Sequence, residues 1–137
     1  MIGILIVTHS QLGDALIEAA EFITGSELTA VSSVSINLNE NAEALRNKIA
    51  NEIKAVNQTQ GVIILTDMFG GTPSNLSYAF LEEGLVEVIS GVNLPVLIKA
   101  LGLQESTDLS KFAKTLETYG KRSISLASGI LKGEKRG

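Results

Sequence analysis

Two short segments, Ile2–Val7 and Gly61–Leu65, carry no polar side chain on either alternating face. A strand with one face in water alternates apolar and polar residues, so an unbroken apolar run of this length fits a strand covered on both sides, as in a parallel sheet. Each run is followed by a stretch of helical spacing or a helix-start signal. Leu12, Leu16, Ala19, Ala20 and Ile23 follow the first run and end at Gly25. The pattern continues with a strand over Val31–Ile36, a helix over Ala42–Val56 carrying Leu45, Ile49, Ile53 and Val56 on one face, and a third strand over Gly61–Leu65.

Proline and cap residues punctuate the second half. Thr72-Pro73 predicts a helix start with the threonine hydroxyl at the N-cap, and that helix is expected to run to about Glu83, ahead of Gly84. Val86–Ile89 is a fourth strand. Asn93-Leu94-Pro95 opens a helix through Leu101, and Thr107-Asp108 opens another carrying Leu109, Phe112, Ala113 and Leu116. Arg122–Ala127 alternates polar and apolar residues, which predicts an edge strand that belongs to this chain's sheet or to a neighbouring subunit's. The fold expected is an open α/β sheet, mainly parallel, with helices on both faces.

Residues 1–137 suffice for one domain, and no linker, repeat or low-complexity stretch divides them. With 45% hydrophobic and 19% charged residues the chain can bury a core. A net charge of −4 and scattered arginines (Arg46, Arg122, Arg136) argue against nucleic acid as a partner. The absence of cysteine removes thiol chemistry and thiolate metal sites, and a single histidine disfavours zinc, so neither a metal nor a cofactor is expected. No apolar stretch is long enough to span a bilayer and no basic region precedes the first apolar run, which leads to the expectation of a cytoplasmic protein. The basic tail Lys132–Arg136 reads as a solvated end.

The residues able to carry chemistry stand where strands end. His9 follows the first strand and Asp67 the third, so a parallel sheet brings both to one edge. A lone histidine beside a carboxylate suits nucleophilic chemistry: one ring nitrogen attacks while the other keeps its proton on the carboxylate, which favours the charge developing on the ring. An isolated aspartate at a strand end is more often a cap than such a partner. Gly70 and Gly71 lie between a strand and a helix start, where glycine backbone and unpaired N–H groups suit a phosphate. The same glycines serve equally well to tighten a turn. Thr8, Ser10 and Thr72 offer hydroxyls for phosphate oxygens, or for caps. Met68 and Phe69 are expected to pack into the core by default, with a partner-facing loop as the alternative. P-loop, dinucleotide-binding and nucleophile-elbow motifs are absent. A receiver domain is excluded as well, because Thr8-His9-Ser10 stands where acidic metal ligands belong.

Three ordered blocks carry a family resemblance. Gly3–Ser10, Asp67–Asn75 and Val88–Pro95 resemble the opening, the aspartate and double-glycine loop, and the fourth-strand exit of mannose-family IIA components of the phosphoenolpyruvate-dependent sugar phosphotransferase system. The resemblance implies that His9 accepts a phosphoryl group from the histidine-containing phosphocarrier protein and passes it to a separate IIB component for sugar uptake. Asp67 would be its carboxylate partner, and Gly71 and Thr72 part of the receiving loop. It also implies a homodimer exchanging a C-terminal edge strand, for which Arg122–Ala127 is the candidate, and contact with a membrane only through transporter components. Two alternatives remain at this level. One is a regulatory phosphocarrier of the same family uncoupled from transport. The other is an anion-binding domain whose histidine only donates a hydrogen bond.

Overall fold

The computed structural model describes residues 1–133; Glu134–Arg136 of the basic tail lie outside the described residues. Four strands and six helices follow in order: β1 (Gly3–His9), α1 (Leu12–Thr24), β2 (Val31–Ile36), α2 (Ala42–Val56), β3 (Val62–Thr66), α3 (Thr72–Tyr78), β4 (Val86–Ser90), α4 (Leu94–Gly102), α5 (Leu109–Lys121) and α6 (Ala127–Leu131). All four strands are parallel, in the spatial order β2-β1-β3-β4.

The unbroken apolar runs are explained by which side each residue faces. Ile4, Ile6, Ile63 and Leu65 join Ala20 of α1, Val96, Leu97 and Ala100 of α4, and Phe112 and Leu116 of α5 in one core. Leu5, Val7, Val62 and Ile64 point the other way, into a second core with Leu45 and Ile49 of α2 and Leu76 of α3. Successive strand side chains thus serve opposite cores, and neither strand can afford a polar residue at these positions.

Side-chain caps set the helix starts at three places, at Asn93 and Asp108 where the sequence suggests a start and at Asn41 as well. Asn41, Asn93 and Asp108 accept from the backbone N–H groups of Ala44, Val96 and Lys111 respectively. At α3 the cap is Gly71, and Thr72 is the first helical residue rather than the N-cap. The helix also ends sooner than Glu83. Glu82 forms a bridge to Val86, and its carbonyl accepts from the N–H groups of Leu85 and Val86. The peptide groups that would extend α3 are used to turn the chain into β4.

Arg122–Ala127 forms no strand among the described residues. The chain leaves α5 at Arg122, and α6 begins at Ala127. Alternation makes a segment suitable for a ladder but does not supply a partner, and Ile124 and Leu126 are 86% and 77% exposed.

Candidate active site

The strand order decides where the site lies. The chain goes from β1 outward to β2 and then crosses to β3 on the opposite side of β1, so the order reverses between β1 and β3. At such a switch point the loops leaving adjacent strands diverge and open a crevice at their carboxyl ends. Val7 is paired with Thr66, which brings His9 and Asp67 to that crevice together.

Asp67 Oδ2 accepts two hydrogen bonds from His9, one from the backbone N–H at 2.9 Å and one from ring Nδ1 at 2.8 Å. Two donors on one oxygen fix the ring relative to the strand end and assign the Nδ1 proton to the bond with Asp67. The His9 side chain is 44% exposed, whereas that of Asp67 is 11% exposed. Burial pushes the Asp67 carboxyl up, but the His9 backbone N–H, the ring hydrogen bond and the ring's charge reverse this and hold it below its ordinary value. The carboxylate stays ionised and ready to stabilise a positive ring. Its Oδ1 is buried and has no hydrogen-bond partner.

With Nδ1 occupied, Nε2 is the nitrogen left for reaction. It faces Gly71: a Cβ there would sit 3.1 Å from His9 Cε1 and 3.4 Å from Nε2. Gly71 has φ 83° and ψ 169°, a conformation essentially restricted to glycine, and Gly70 also has positive φ, at 81°. Both glycines therefore turn the backbone. Gly71 in addition puts no side-chain atom of its own against the Nε2 edge of the ring.

The hydroxyls divide. Thr8 is fully buried and its Oγ1 accepts from the N–H of Gly13 at 2.9 Å, so it anchors the start of α1 to the end of β1. Ser10 is exposed with φ 51° in the turn after His9, and its N–H donates to Ile36 O. Thr72 is exposed at the first position of α3, on the same loop as Gly71. Met68 and Phe69 are 54% and 80% exposed and stand beside the site, not in the core.

Sequence reasoning assigned no role to Thr66 or Ser74. Both are fully buried, and their hydroxyls lie 2.7 Å apart, one at the end of β3 and one in the first turn of α3. The only sequence signal was a hydroxyl at each end of the Asp67–Pro73 loop. Asn93 also does more than cap α4: its Nδ2 donates to Ser123 Oγ at 2.9 Å, joining the fourth-strand exit to the end of α5. Among the described residues no cluster of His, Asp or Glu could hold a metal ion, and no helix is long and apolar enough to cross a membrane.

A family model described as the phosphotransferase system fructose IIA component matches residues 3–117, which include β1, the Asp67–Thr72 loop and most of α5. The chain belongs to the mannose-family IIA components of the phosphotransferase system. It is 30% identical to the fructose-specific EIIA component of Bacillus subtilis over 98% of this chain and 92% of that protein. It is 36% identical to the mannose-specific EIIAB component of Escherichia coli K12 over 73% of this chain, a match that spans 31% of the longer protein. Among solved structures, the phosphotransferase system component EIIA from Streptococcus agalactiae superposes with a TM-score of 0.82 at 26% identity, covering 93% of this chain and 98% of that one. The four-stranded parallel sheet with helices on both faces is thus the architecture of an IIA domain.

Proposed function

We propose that this IIA component is a cytoplasmic phosphohistidine carrier, taking a phosphoryl group on Nε2 of His9 from the histidine-containing phosphocarrier protein and delivering it to a IIB component for sugar uptake. The observation that carries this reading is the division of the imidazole: Nδ1 is bound to Asp67 at 2.8 Å, while the Nε2 edge faces Gly71, which has no side chain.

The transfer follows from that division. The Nε2 lone pair attacks phosphorus, a new P–N bond forms, and the bond to the donor's imidazole breaks with its electron pair leaving on the donor nitrogen. Positive charge develops on the His9 ring as the bond forms. The Nδ1 proton stays in its hydrogen bond to Asp67, whose negative charge stabilises the imidazolium. The Gly70-Gly71-Thr72 backbone and the Thr72 and Ser10 hydroxyls lie on the loops flanking the ring and are the groups we assign to the phosphoryl oxygens. Delivery to IIB is the same displacement with His9 as the leaving group. Met68 and Phe69, exposed beside the ring, suit a surface that meets each protein partner in turn.

Intact-mass analysis after incubation with phosphoenolpyruvate, enzyme I and the phosphocarrier tests the reading. One added phosphate that is lost in acid is the expected outcome; an active donor that leaves the mass unchanged would rule the carrier out. Replacing Gly71 with alanine strains a glycine-only conformation and puts a methyl group against the ring. It should slow phosphorylation roughly ten- to hundredfold and lower stability by about 1–3 kcal/mol. Wild-type kinetics in that variant would show that the approach to Nε2 lies elsewhere.

The carrier works as a homodimer in which Arg122–Ala127 of each copy lies along β4 of the other. β4 is an edge strand with one neighbour, and beside it runs a groove of about 800 Å³ lined by Phe69, Tyr78, Ser90, Ala113 and Glu117. Ile124 and Leu126, exposed within one chain, have the alternation such an edge accepts. The full chain should sediment at twice the chain mass, and the double substitution Ile124→Glu, Leu126→Glu should sediment as a monomer. A dimer insensitive to both changes would place the interface on another surface.

A further inference from the structure

We infer that Ser74, acting with Thr66, is a positioning residue for the His9–Asp67 pair: the two buried hydroxyls clamp the backbone on both sides of Asp67 and so set the carboxylate that holds the ring. The hydrogen bonds have a definite direction. Met68 O can only accept, so the Ser74 hydroxyl donates to it, at 2.6 Å. With that proton committed, Thr66 Oγ1 donates to Ser74 Oγ at 2.7 Å. One serine oxygen thus ties residue 66 and residue 68, the two neighbours of Asp67. The Thr66 carbonyl is held as well, accepting from the N–H groups of Gly91 and Val92 at 2.9 Å each.

Beyond the His9 donors, the carboxylate is placed by the backbone that carries it, and the clamp acts on that backbone. Oδ2 is bound only by His9, and Oδ1 is buried without a partner. If the 66–68 backbone shifts, the carboxylate is drawn away from the ring, and the Nδ1–H tautomer loses its anchor. A displacement well under the length of a hydrogen bond at a reacting group is enough to cost an order of magnitude in rate.

The rate part of this inference rests on the carrier reading, whereas the ring tautomer does not, and both are measured. Ser74→Ala and Thr66→Val remove one hydroxyl each, while Thr66→Ser keeps the hydroxyl and removes the methyl. Phosphoryl transfer is followed per folded molecule, and the ring ¹⁵N spectrum of unphosphorylated protein is recorded at a pH where the ring is neutral. Ser74→Ala and Thr66→Val should slow transfer roughly five- to twentyfold and introduce the Nε2–H tautomer beside Nδ1–H. Thr66→Ser should stay within about twofold of wild type with a single tautomer. Should Ser74→Ala fail to fold, the two Thr66 variants decide. An unchanged ring spectrum in Ser74→Ala and Thr66→Val overturns the inference, whatever happens to melting temperature or rate. If the wild-type protein accepts no phosphate, the carrier reading fails, and the ring spectra still decide the clamp.

Discussion

His9→Ala is expected to abolish the acid-labile phosphorylation that the carrier reading requires. His9 is the only histidine in the chain, so no other imidazole can take the phosphoryl group over. Acid lability separates a phosphohistidine from a phosphoserine or phosphothreonine formed on one of the hydroxyls nearby. The variant should remain folded, because the ring is 44% exposed and the backbone N–H of residue 9 still donates to Asp67. Its stability should lie within about 1.5–3 kcal/mol of wild type, the range for losing one hydrogen bond to a charged group. Circular dichroism and thermal unfolding alongside the mass measurement separate loss of the nucleophile from loss of the fold. An alanine variant that still gains an acid-labile phosphate would remove His9 from the mechanism.

Asp67→Asn should leave a folded protein that accepts phosphate about 10²–10³ times more slowly. Asp67 Oδ2 accepts from two donors, and Oδ1 lies buried with no partner. An asparagine that keeps its oxygen on His9 must bury its NH₂ where nothing accepts from it. Turned the other way, the NH₂ faces the His9 donors and forces the ring proton onto Nε2, the nitrogen to which the carrier reading assigns the attack. Either orientation also removes the charge that stabilises the imidazolium. Single-turnover kinetics against the phosphorylated donor would measure the loss, and a rate within threefold of wild type would leave Asp67 as a turn residue only.

The same substitution has a pH signature. The Asp67 carboxyl is held below its ordinary value in the fold, so the stabilisation it contributes is fully present above the ordinary carboxylate value and is lost as pH falls through the lowered one. Acid unfolding of the wild-type protein should therefore contain a leg in that low window that is absent from Asp67→Asn. Stability of the two proteins should run parallel at higher pH. A wild-type acid leg that persists unchanged in the variant would assign it to other carboxylates.

How far each feature was legible in the sequence depended on the range of the interactions that create it. Ile2–Val7 announced a doubly covered strand because both of its faces meet apolar cores, and Asn93-Leu94-Pro95 announced a helix because capping is a contact between residues three apart. The Thr72 helix was placed correctly but misjudged at both ends. Gly71 supplies the cap with a backbone conformation unavailable to other residues, and Glu82 is diverted to a bridge with Val86. Arg122–Ala127 had the alternation of a strand, yet pairing requires an edge, and no edge within the described chain reaches it.

The site followed the same rule. His9 and Asp67 stood out because each ends a strand in a parallel pattern, and the three ordered blocks identified the family from residue types alone. Local patterning by itself therefore determined the types of the elements from β1 to α5, the two-sided burial of β1 and β3, and the choice of His9 and Asp67 as candidates. The order β2-β1-β3-β4 came from the tertiary structure, because strand order depends on how helices share the two faces of the sheet. So did the assignment of Nδ1 to Asp67, the clearance Gly71 leaves at Nε2, and the Thr66–Ser74 clamp. Each of these is a contact between groups brought within hydrogen-bond or van der Waals distance only when the strands align, and distances of that kind are set by packing rather than by any residue's neighbours in sequence.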